Sequence, residues 1–113
     1  MRSIFSMKIS YQSPKLETTL QSYDEIRKKH GDEVAKRTIK RLQELDAADS
    51  LADLPVHIRP HPHDPKQDEI FSVDIQKHKH STRLLFKPID EYDIADYSTI
   101  KSIEIIEIKK LHS

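Results

Sequence analysis

The 113-residue chain has no cysteine and no tryptophan, and its only glycine is Gly31. The lack of cysteine excludes a disulfide bond and a thiolate site. A single glycine also argues against a glycine-rich phosphate-binding loop, and hence against a P-loop or Rossmann site. No apolar run is long enough to span a bilayer, and the N-terminus lacks the apolar core of a signal peptide. These absences are compatible with the cytoplasm, which is the expected location, and they predict no membrane partner.

Positive and negative charges balance in this sequence, with 19 Lys and Arg against 19 Asp and Glu. Basic residues are in excess over residues 1–45, and acidic residues are in excess over residues 46–100. A nucleic-acid-binding protein usually carries a dominant basic face, so any such face here must be local. The apolar residues are clustered and periodic, and the length suits one modest core. We therefore predict a single domain over residues 1–113.

Residues 71–87 have the pattern of a β-hairpin. Apolar residues alternate with polar ones over 71–76, a polar break follows, and a second apolar run begins at Arg83 and stops at Pro88. Arg83 is unusual because it opens an otherwise apolar strand on a central element. Its guanidinium is predicted either to pair with Asp74 across the hairpin or to bind a phosphate group through two hydrogen bonds.

Two helices are predicted before this hairpin. Ser13 and Pro14 are a typical helix start, and apolar residues at helical spacing continue to a stop at Gly31. A second helix begins at Asp32 and has an apolar stripe that ends at Leu45. Its opposite face carries a row of basic residues, which is either a solvated face or a contact surface for RNA or an acidic protein. This row comprises Lys36, Arg37, Lys40 and Arg41.

Strands are predicted at both ends of the chain. Apolar residues alternate with polar ones from Ile4 to Tyr11, and the run from Ile100 to Ile108 is apolar on both faces, as in a central strand. A further short strand is predicted near residues 56–60. The resulting order, β-α-α-β-β-β, indicates an α+β fold with a helical hairpin on one face of a mainly antiparallel sheet.

Three histidines, His57, His61 and His63, lie in a proline-rich segment before the hairpin. Their spacing is compatible with a zinc site, with a histidine-rich surface loop, or with a general acid or base, because imidazole titrates near neutral pH. His112 lies one residue from the end of the sequence and would by itself be a frayed terminal residue. The residues alone leave these alternatives open.

Three blocks of the sequence together resemble the RelE/ParE superfamily of toxins, in particular its HigB-like branch. They are HGDEVAKRTIKRLQELDAADSLADLP at 30–55, FSVDI with RLLFKP at 71–75 and 83–88, and IKSIEIIEIKKLH at 100–112. The resemblance implies a RelE-like fold and a ribosome-dependent mRNA endonuclease that uses no metal or other cofactor. It also implies three partners: a cognate antitoxin, the ribosome with its mRNA, and operator DNA bound through the antitoxin complex.

The resemblance also implies site residues. His61, with His63 as a rival, matches the family's loop histidine, Arg83 matches its strand arginine, and His112 matches its C-terminal histidine. In such an enzyme the ribose 2′-OH attacks the adjacent phosphate with help from an acid, a base and a cation. Auxiliary RNA contacts are expected from three lysines, Lys66, Lys109 and Lys110.

The chain departs from the family pattern near its C-terminus. Lys110 stands at the family's aspartate position, and Leu111 stands at its tyrosine position. Leucine replaces only part of what a tyrosine contributes, since it has no hydroxyl and no aromatic ring. A second hypothesis is therefore a binding module of RelE-like fold with little or no nuclease activity. It would act through an antitoxin–operator complex or, like ParE toxins, on gyrase.

Overall fold

A computed structural model of the chain describes residues 6–55, 69–76 and 82–110 in full, and the backbone of residues 61–62. These parts contain three α-helices and one five-stranded sheet, which places them in the α+β class. The helices are α1 (Pro14–Leu20), α2 (Tyr23–His30) and α3 (Asp32–Ala47). The strands are β1 (Lys8–Tyr11), β2 (His61–Pro62), β3 (Phe71–Gln76), β4 (Thr82–Pro88) and β5 (Ser102–Lys110).

The strands are arranged in the order β1-β5-β4-β3-β2. β2 pairs antiparallel with β3, β3 with β4, and β4 with β5, whereas β1 pairs parallel with β5. The predicted hairpin of β3 and β4 is confirmed, and so is the central position of the last strand. The predicted N-terminal strand is observed over Lys8–Tyr11, while residues 1–5 lie outside the described part, as do residues 56–60.

The prediction of one continuous first helix is wrong, because the chain forms two short helices there. α1 ends at Leu20, and the side chain of Ser22 accepts a hydrogen bond from the backbone N of Glu25 at 3.2 Å. The side chain of Ser22 competes with helix α1 for backbone N–H donors, and it caps the start of a second helix, α2. None of the helices in the described residues is long and apolar enough to cross a membrane.

Gly31 joins α2 to α3, and these two helices pack against each other. Its φ of 93° lies in a region that only glycine adopts without strain, so this position explains the one glycine of the sequence. Four basic residues end α2 and two acidic residues begin α3, which is the favourable arrangement for both helix dipoles. The predicted helical hairpin is therefore formed by α2 and α3.

A bulge in β5 decides which side chains face the helices. Leu85 pairs with Glu107 and Phe86 pairs with Ile105, so Ile106 is an extra residue opposite β4. The extra residue shifts the alternation by one position, and Ile108 consequently lies on the same face as Ile105. The run from Ile100 to Ile108 looks apolar on both faces in the sequence, but most of its isoleucines lie on one face, because the bulge shifts the strand's alternation by one residue.

The core lies between the helices and this face of the sheet. It combines helix residues such as Ile26, Ala35 and Leu45 with sheet residues that include Val73, Phe86 and Ile103. The rings of Phe71 and Phe86 stack on neighbouring strands with their centroids 6.1 Å apart. Tyr97, in a 3₁₀ turn of the acidic segment before β5, packs edge-on against Phe71 at 5.4 Å.

We expect Ser22→Ala to destabilise the protein by about 1 kcal/mol, because it removes the side-chain cap of α2. Ser22→Asp keeps an acceptor at the same position and is the matched control, for which we expect a free energy of unfolding close to that of the wild type. Urea unfolding monitored by circular dichroism measures both variants. Equal loss of stability in the two variants would show that the cap does not hold this helix break.

Candidate functional site on the open face of the sheet

One face of the sheet carries the residues that alternate with the core residues, and we call it the open face. Register places its side chains on the side of the sheet opposite the helices. They include four basic and three acidic residues, so the face has nearly balanced charge. The open face consists of Lys8, Ser10, Ser72, Asp74, Arg83, Leu85, Lys87, Ser102, Glu104, Glu107 and Lys109.

Arg83 lies near the start of β4, toward one end of the open face, and two side chains of β3 hold it there. One guanidinium nitrogen, Nη1, donates to Ser72 Oγ at 2.5 Å, and Nη2 lies 3.0 Å from Asp74 Oδ1. Ser72 is fully buried, and the Arg83 side chain is 23% exposed. The ion pair expected across the hairpin is therefore present. It fixes the guanidinium in place and offsets much of its charge.

Lys109 and Lys110 occupy adjacent positions in β5 and therefore lie on opposite faces of the sheet. Lys109 pairs with Arg83 in the register and belongs to the open face. Lys110 pairs with Thr82 and lines a cavity of about 190 Å³ on the helix side, together with Lys29 and His30. The two lysines expected to contact RNA do not share a surface, because strand side chains alternate.

His61 is the one histidine of the proline-rich segment whose backbone the structure describes. It pairs with Ser72, which is the residue that accepts the hydrogen bond from Arg83. The backbone of the expected catalytic histidine thus lies on the other side of β3 from the strand that carries Arg83. The other expected site residues, Lys66 and His112, lie outside the described residues, and so do His57 and His63.

The described side chains of the open face include no histidine. Their ionisable groups are carboxylates, lysines and Arg83. The acid and the base predicted from the sequence are His61 and His112, and the side chains of both lie outside the described residues. Among the described residues no group of three potential ligands is arranged to hold a metal ion. Zinc binding by His57, His61 and His63 stays a hypothesis.

Arg41 contributes to the site from the helix layer, which the sequence did not indicate. Its Nε donates to the backbone oxygen of Asp74 at 2.9 Å, and its Nη1 lies 2.5 Å from Glu44 Oε1. It ties α3 to the strand that holds Arg83. The neighbouring Lys36 and Arg37 instead form exposed pairs with acidic residues one turn earlier, as a solvated face does.

Comparison with known proteins found no relative. No family model matches the chain, and no curated protein or solved structure matches it either.

The pair of Arg83 and Asp74 can be tested with a double-mutant cycle of alanine substitutions. We expect a coupling free energy of about 1 kcal/mol, because both side chains are largely withdrawn from water and lie 3.0 Å apart. The matched control is the pair of Lys87 and Glu104 on the same face, which is 3.5 Å apart and more exposed. Its coupling should stay below about 0.5 kcal/mol. Equal coupling in both cycles, measured by urea unfolding, would contradict a specific role for the Arg83 pair.

His30, beside Lys110, should show a shifted titration. Desolvation and the nearby charge of Lys29 lower the pKa of His30 below its ordinary value of 6.5. The unfolded chain then binds more protons, so stability should fall as the pH drops below about 6.5 and level off below the folded pKa. We expect Lys29→Met to raise the His30 pKa only partly, because desolvation is the larger cause.

NMR titration of the imidazole measures this shift, and Lys36→Met serves as the control because Lys36 pairs with Asp32 on α3. An unchanged His30 pKa in the Lys29 variant would exclude the charge of Lys29 as a cause.

Proposed function

We propose that this chain is a RelE-like toxin that cleaves mRNA on the ribosome and is neutralised by a small antitoxin. The main support is the place of Arg83 on the open face, where it donates to Ser72, the residue of β3 that pairs with His61, and where its own strand pairs with the end of β5. Two residues beyond β5 comes His112. In this proposal Arg83 supplies the cation, and His61 and His112 supply the acid and the base that 2′-OH attack on a phosphate requires.

The element order also supports the proposal. One strand, then helices, then an antiparallel sheet agrees with the RelE-like fold that the sequence blocks imply. In this proposal Arg83 stabilises the scissile phosphate and Lys109 contacts the RNA on the same face. Lys110 faces the helices and does not take part at that face. The chain would act in the cytoplasm without a metal ion, and its antitoxin complex would bind operator DNA.

The second candidate function is a binding module without nuclease activity. The observation that favours it is the ion pair of Arg83 with Asp74, together with the nearly balanced charge of the open face. An arginine already bonded to a carboxylate must exchange that partner before it binds phosphate, and this exchange reduces its affinity. Such a module would contact an antitoxin, operator DNA or gyrase.

Expression of the full chain alone in a bacterium, with primer extension on abundant mRNAs, tests the proposal. We expect growth arrest and new 5′ ends inside translated codons. Arg83→Ala should reduce cleavage about 100-fold, because a donor to the developing negative charge is lost. Lys87→Ala, which changes another cation of the open face, is the matched control and should cleave normally.

Healthy growth with uncut mRNA from soluble, folded protein would reject the nuclease. Arrest with DNA-damage signalling and intact mRNA would instead identify the gyrase-directed module. Full cleavage by a folded Arg83→Ala/His112→Ala double variant would reject the assigned site, although not the nuclease itself.

A further inference from the structure

A second polar cavity lies at the other end of the sheet, where β1 and β5 begin. Its volume is about 470 Å³, within the range of small-molecule sites. Four serines, two lysines and two aspartates line it. We call it the serine–lysine pocket, and the residues that matter for its chemistry are Lys8, Lys101, Asp49, Asp53, Ser50 and Ser102.

Backbone hydrogen bonds hold the walls of this pocket together. Lys8 N donates to the Lys101 carbonyl at 2.9 Å, which joins the two lysine-bearing segments. Met7 N donates to the Ala48 carbonyl at 2.8 Å, and Leu51 N donates to the Ile100 carbonyl at 3.0 Å, so the segment with the aspartates is attached to both strands. These bonds fix the backbone of the pocket walls, whereas the exposed side chains of Lys8, Lys101 and Asp49 still lose conformational entropy when a ligand binds.

The charges in the pocket do not neutralise one another. Throughout the described residues, neither Lys8 nor Lys101 forms an ion pair, and the carboxylate of Asp49 accepts no hydrogen bond. Asp53 Oδ2 accepts a hydrogen bond from Ser50 Oγ at 2.9 Å, which leaves it further acceptor capacity. Two ammonium groups without partners favour an anion, and carboxylates among serine hydroxyls favour a ligand that donates hydroxyl hydrogen bonds.

We propose that the serine–lysine pocket binds a phosphorylated sugar unit. The phosphate binds Lys8 and Lys101, and the sugar hydroxyls donate to Asp49 and Asp53. An inorganic phosphate alone leaves the carboxylates repelling it, whereas an uncharged sugar leaves the lysines without a partner. A pentose phosphate supplies both groups, so it is the simplest ligand that matches all four side chains.

The ligand has two sources, a free sugar phosphate or a ribonucleotide within RNA. Lys8 and Ser102 belong to the open face, as Arg83 and Lys109 do. Ser102 and Lys109 are seven residues apart along β5, a span of about 20 Å. That separation corresponds to a few nucleotides, so an RNA strand bound at Arg83 can reach the pocket. Binding of the free sugar phosphate does not depend on the proposed nuclease activity.

NMR titration of the full chain with ribose 5-phosphate tests the proposal. We expect shifts of the amide signals of residues 49–53 and 101–102, and at least tenfold weaker binding of ribose or of inorganic phosphate. Lys101→Met and Asp49→Asn should each weaken ribose 5-phosphate binding about tenfold, since each removes a charged partner. Lys87→Met, outside the pocket, is the control and should bind normally.

A six-nucleotide single-stranded RNA distinguishes the two sources. Tighter binding than ribose 5-phosphate, with added shifts at Arg83 and Lys109, identifies RNA. Shifts confined to the pocket without a gain in affinity identify a free sugar phosphate. Absence of pocket shifts with ribose 5-phosphate and with the RNA would overturn the proposal. Equal binding of inorganic phosphate, or unchanged binding by the folded Asp49 variant, would overturn the assignment of the sugar hydroxyls.

Discussion

The helices cover only one face of the sheet, and the strands keep most of their apolar side chains on that face, with Leu85 of β4 as an exception. β5 meets this constraint through the extra residue at Ile106, which returns Ile108 to the core side. Without the bulge, regular alternation would turn Ile108 outward and bring Lys109 toward the helices. The bulge therefore protects the core and also gives Lys109 its place beside Arg83.

The same constraint leaves the open face mainly polar, and it carries seven charged side chains. Arg83 lies at one end with its guanidinium bonded to Ser72 and Asp74. The serine–lysine pocket lies at the other end with both of its lysines unpaired among the described residues. One end thus holds a positioned but largely neutralised cation, and the other holds two ammonium groups without an ion-pair partner among the described residues. A ligand with several phosphates would meet both ends.

Local patterns were sufficient for much of the fold. Alternation identified β3 and β4, and the single glycine identified the junction of α2 and α3. The break at Ser22 was missed because a serine inside a helical pattern is ambiguous until its side chain is seen to cap. The bulge at Ile106 was missed for a related reason, since an apolar run carries no sign of which residue will be left unpaired.

The sequence by itself determined the α+β class, the hairpin and the candidate pairing of Arg83 with Asp74, because these depend on residues close together in the chain or on simple alternation. Only the tertiary structure decided that Lys109 and Lys110 face opposite sides, that Arg41 reaches Asp74, and that Lys8 and Lys101 line one pocket. These contacts depend on strand register and on how β1, α3 and β5 meet in space, and such distant relations leave no periodic signal in the sequence.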